Sequence, residues 1–113
     1  KALAHIRRSI ELAVRTNDPF EEGISRRVLG RIYHAQRQFA QARTALQKSL
    51  QLLEQSHNPF QIAQTHLTLA ELDIATGQTE EARLHLQTAI PVFQSLRVQP
   101  ALKQALALQN RAG

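Results

Sequence analysis

The sequence contains no cysteine, methionine or tryptophan, and only four glycines, four prolines and 4% aromatic residues in 113 positions. Without cysteine there is no disulfide framework, no thiolate metal site and no cysteine nucleophile, and the expectation is a reducing, cytoplasmic setting. Scarce glycine and proline argue against disorder and against a turn-rich β protein. Charge or glutamine interrupts the apolar runs every few positions, far short of the roughly 20 apolar residues of a membrane span, and no signal-peptide pattern is present. No HExxH or CxxC pattern and no glycine-rich phosphate loop occurs, so neither metal nor cofactor is expected.

What the chain does contain is alanine, leucine, glutamine, arginine and glutamate, the residues that lose least on entering a helix. With 42% hydrophobic and 20% charged residues it reads as one all-helical domain spanning residues 1–113. The net charge of +5 is uneven: residues 1–57 hold ten Lys or Arg against five acids, and the rest hold four against four. A basic first half suits an acidic partner, although a solvated helical surface would look the same.

Asn17-Asp18-Pro19-Phe20 and His57-Asn58-Pro59-Phe60 are near-copies forty residues apart. The same shift lays Leu29 on Leu69, Ala42 on Ala82, Arg43 on Arg83 and Leu46 on Leu86 without a gap. An internal repeat of this length signals a helical array. Within each unit the apolar spacing is helical: Phe20, Ile24, Val28 and Ile32 form one stripe, and Ala42, Leu46, Leu50 and Leu53 another. The second unit repeats the scheme with Ala63, Leu67, Ala70 and Ile74, then Ala82, Leu86, Ala89, Ile90 and Phe93. The pattern predicts six antiparallel helices near 1–16, 20–36, 39–56, 60–76, 79–96 and 100–111.

Asp18 and Asn58 are expected N-caps, each followed by a proline where a missing N–H costs nothing. Gly77 reads as a helix stop, Thr79 as a cap, and Glu80 and Glu81 as acids at a positive helix start. Pro91 falls inside a helix and is expected to kink it. Residues 1–16 align with a second helix of a pair and 100–111 with a first, so the expectation is a fragment of a longer array. Its end stripes (Ile6, Ile10 and Ala13; Leu102 and Leu106) would then be open to stacking into a homo-oligomer.

Leu29-Gly30, Tyr33, Ala42, Leu46 and Ser49 resemble the tetratricopeptide repeat, and Leu69-Ala70, Ala82, Leu86 and Ala89 repeat the match, with Arg26 and His66 at an aromatic position. Asp73 stands where the family has another aromatic. The forty-residue period also fits armadillo or HEAT-type arrays. The resemblance, closest to the long-period repeats of bacterial signalling proteins and transcriptional regulators, implies a right-handed α-α superhelix whose first helices line a peptide groove. Carried over, that groove would comprise Ile24, Arg27, Arg31, His34 and Ala35, then Gln64, Leu67, Glu71, Ile74 and Ala75, then Lys103, Gln104 and Arg111.

The acid pairs lie in first helical turns, where the helix dipole accounts for them. The five histidines fit structural or surface roles better than a metal site. The chain therefore reads as a non-catalytic protein- or peptide-binding scaffold, the interaction or sensor part of a larger regulatory protein, with an acidic ligand favoured. Self-association through the ends is the second reading. Nucleic acid is disfavoured, because Tyr33 and the phenylalanines mostly fall on stripes expected to be buried.

Overall fold

The computed structural model describes residues 1–113 and contains six helices: α1 (Ala2–Arg15), α2 (Pro19–Ala35), α3 (Phe39–Ser56), α4 (Pro59–Ala75), α5 (Thr79–Leu96) and α6 (Gln99–Ala112). None is long and apolar enough to cross a membrane. The chain keeps a strict metre. Left-handed residues fall at Asn17, Arg37, His57, Gly77 and Arg97, and each is followed two residues later by the start of the next helix. At four of these joints the residue after the left-handed one donates to a carbonyl five positions back: Asp18 to Ala13, Gln38 to Tyr33, Gln78 to Asp73 and Val98 to Phe93. This is the Schellman stop, which satisfies the last carbonyls of one helix while the chain turns into the next. Asp18 also caps α2, accepting from the Glu21 N–H at 3.1 Å.

One sequence expectation needs correcting here. The α5 cap position is Gln78, so Thr79 lies inside the first turn and its hydroxyl makes no cap bond. Pro91 lies inside α5, as the sequence predicts, and the helix runs on to Leu96. The forty-residue repeat is longer than the roughly 34 of the pattern it resembles, and both helices of each pair are long: α2 and α4 have 17 residues, α3 and α5 have 18.

Two compact units form, Lys1–Asn58 and Pro59–Gly113. In the first, α2 and α3 approach closely because α2 presents glycine. A Cβ on Gly23 would lie 2.6 Å from Leu53 Cγ, and one on Gly30 would lie 2.6 Å from Leu46 Cγ. Ser49 crosses the same interface, donating to the Gly23 carbonyl at 2.7 Å. The buried line of α2 is thus Gly23, Ser25, Leu29 and Gly30, not the expected Phe20, Ile24, Val28 and Ile32, and Val28 is 40% exposed. Helix α1 packs its Ile6 and Ile10 with Leu29 and Ala45. Ile6, Ile10 and Ala13 are consequently buried, so the stripe expected at this end to be open for stacking is covered, and the large exposed apolar residues of α1 are Leu12 and Val14.

In the second unit the corresponding contact uses Ala63 and Ala70 of α4 with Ala82, Leu86, Ala89 and Phe93 of α5, and α6 adds Ala101, Ala105 and Leu108. Fully burying a Leu or Phe side chain stabilises by roughly 1.5–3 kcal/mol; Leu67, Leu86 and Phe93 are all at 0% exposure. Phe60 meets Phe93 edge to face, ring centres 6.1 Å apart. Arg83 fastens the start of α5 to the end of α6, pairing with Glu80 and donating to the Ala112 carbonyl.

Candidate functional site

The expected groove residues fall into two groups, one per unit. On α2, Ile24, Arg27 and His34 are half-buried and Arg31 is exposed. At about 100° per residue these four lie on one side of the helix. His34 is steadied by Phe39, edge to face at 5.6 Å. Burial, and then repulsion from Arg31, lowers the Arg27 guanidinium to about 10. The two guanidinium groups thus sit one helical turn apart on this face.

In the second unit, Gln64, Glu71 and Ile74 are half-buried, and Lys103 and Arg111 are exposed. Gln104 donates to the Glu71 carboxylate at 2.9 Å, tying α6 to α4. Leu67 is a correction: it is wholly buried in the core of this unit and offers no surface to a ligand. The same leucine belongs to the apolar stripe that packs α4 on α5, and packing takes it. Ile74 also leans on that core.

Sequence reasoning missed a polar cluster between α4 and α5. His66 Nδ1 and His85 Nδ1 are 2.8 Å apart, and His85 Nε2 lies 3.7 Å from Asp73 Oδ2. Asp73 is completely buried. Between the two imidazoles one Nδ1 donates and the other accepts, which requires at least one protonated Nδ1. Burial, and then repulsion from His85, lowers the His66 imidazole to about 4. A signal was available in the sequence: His66 and Asp73 are seven residues apart on α4, hence on one face, and both replace aromatic residues of the repeat pattern. No group of three or more His, Cys, Asp or Glu is arranged to hold a metal ion.

The first unit has an open notch of about 500 Å³ at the equivalent place. Leu29 and Tyr33 of α2 and Ala45 of α3 line it, with Arg26 and Lys48 at its edges. Glu22 holds Arg26 at 2.7 Å, and Arg7 of α1 donates to the Tyr33 hydroxyl at 3.4 Å.

Helix pairs joined by uniform three- or two-residue stops, small residues at the closest approach and a forty-residue self-match together describe a helical repeat. A family model described as tetratricopeptide repeat matches residues 24–95. No match was found among curated proteins or among solved structures. Repeats of this family generally mediate protein–protein interaction. The match covers more than half of the chain, from α2 into α5, and the chain belongs to the tetratricopeptide repeat family.

Proposed function

We propose that this chain is a non-catalytic docking module that holds an acidic protein or peptide segment on the α2 face carrying Ile24, Arg27, Arg31 and His34. It would serve as the interaction or sensor part of a larger regulatory or signalling protein, in a bacterial cytoplasm. One observation carries the reading: Arg27 and Arg31 lie one turn apart on the same side of α2 as Ile24 and His34, so two guanidinium groups can face one carboxylate-bearing segment. Paired guanidinium groups also suit bidentate carboxylate recognition. The surrounding charge agrees, since the unit that holds α2 carries ten basic and five acidic residues whereas the other is balanced.

The test is a fluorescence anisotropy titration with a labelled glutamate-rich peptide. Double charge reversal, Arg27→Glu with Arg31→Glu, should weaken binding by more than about tenfold. Equal affinity of the two proteins would rule out this face.

A further inference from the structure

The forty-residue shift maps the notch of the first unit onto the histidine cluster of the second, and the two sets of residues differ in a directed way. Arg26, Tyr33 and Ala45 correspond to His66, Asp73 and His85. In the second unit those side chains close on one another across the gap between α4 and α5. In the first, Ala45 is too small to reach Arg26 or Tyr33, and space for a foreign side chain remains. The edges differ in charge as well. Ala40, Gln41 and Lys48 become Glu80, Glu81 and Thr88, so the open notch has cations and no carboxylate in its lining, whereas its filled counterpart has acids and no Lys or Arg.

We propose that this notch is a second contact surface, distinct from the Arg27 face, and that it takes a bulky apolar side chain flanked by carboxylates in an acidic protein segment. The volume of about 500 Å³ is within the range of small-ligand pockets, and the floor of Leu29, Ala45 and the Tyr33 ring is apolar. Lys48 lies exposed at the mouth, and Glu22 and Arg7 fix the Arg26 and Tyr33 walls. Adjoining depressions extend the surface both ways. One shares Arg26 and adds Ile10, Val14 and Arg15, with Glu11; the other shares Thr44 and Lys48 and adds Gln51, with Glu54 farthest out. An aromatic anchor with acidic neighbours matches this order of apolar floor and basic edge. On α2 the notch residues Arg26, Leu29 and Tyr33 lie roughly 150° around the helix from Arg27 and Arg31, so the two faces can be tested separately.

The chain has no tryptophan, so a tryptophan in a probe peptide reports its own burial without background. The probe is an acetylated peptide with one Trp between two pairs of Glu, compared with a matched peptide in which Lys replaces Glu. With the unaltered protein the emission of the acidic probe should move to the blue at millimolar or lower peptide, and the basic probe should not respond. Thr44→Phe plugs the mouth at an exposed position where the second unit carries exposed Leu84, and it should abolish the shift. Lys48→Glu, an exposed change needing no repacking, should weaken the response about tenfold. The double reversal at Arg27 and Arg31 should leave the shift in place. The proposal is overturned by any of four results: no shift at all, an equal response to the basic probe, a shift that survives both Thr44→Phe and Lys48→Glu, or a shift lost only in the Arg27 and Arg31 variant. That last result would still uphold the α2 face. Sedimentation without peptide supplies a further check: a self-association that Thr44→Phe abolishes would assign the notch to a second copy and overturn the acidic segment as its occupant.

Discussion

His57 has a φ of 52° at the end of α3, a conformation that costs an L-residue about 1–2 kcal/mol and glycine almost nothing. Gly77 occupies the same place one helix later with a φ of 79°. His57→Gly should therefore stabilise the protein by about 0.5–1 kcal/mol after glycine's own entropic cost, measured by urea denaturation. At Gly30 the opposite holds. A methyl group would collide with the fully buried Leu46, and the overpacking outweighs the better helix propensity, so Gly30→Ala should cost about 1–2 kcal/mol. His66 gives a pH dependence of fixed sign. Its folded form resists protonation down to about 4, whereas an unfolded histidine takes a proton near 6.5. The unfolded chain thus binds more protons in that window, and stability should fall as pH drops from about 6.5 toward 4. His66→Gln should flatten this part of the profile; a slope unchanged between the two proteins would show that His66 is not its source.

At the scale of the element, the helices could be read from the sequence to within a residue or so at most ends, because the joints carry strong local chemistry. Asp18 with Pro19 starts α2, and Gly77 stops α4. Which face each helix buries was harder to read. Apolar counting puts Val28 inside, and the repeat pattern makes Gly30 legible as a small contact residue but not Gly23, yet the closest helix approach uses both. Leu67 reads as a groove residue for a related reason, since α4 is buried on several sides, with Thr65, Thr68, Leu69, Leu72 and Asp73 enclosed as well as the expected stripe. The pairing of His66 with His85 depends on how α4 lies on α5, which no single-helix pattern states. Pro91 is exposed inside α5 and removes a helical hydrogen bond to the Gln87 carbonyl. Pro91→Ala should raise stability by about 1–3 kcal/mol, seen as a higher midpoint of thermal unfolding monitored by helical circular dichroism.

For the molecule as a whole, two helical units built on one sequence template carry different charge. The excess of five positive charges belongs to the first unit, and the second is neutral overall. Family membership accounts for the architecture and for protein binding as the general mode of action; the charge distribution is what suggests the chemistry of the ligand. The central claim, an acidic segment held on α2, is tested most directly by an amide chemical-shift map recorded while a glutamate-rich peptide without aromatic residues is added. The account predicts that the largest shifts fall on Ile24, Arg27, Arg31 and His34 and fade as salt is raised, because exposed charges are screened within about 10 Å at 0.1 M ionic strength. Shifts confined to the second unit, or none at all, would contradict it.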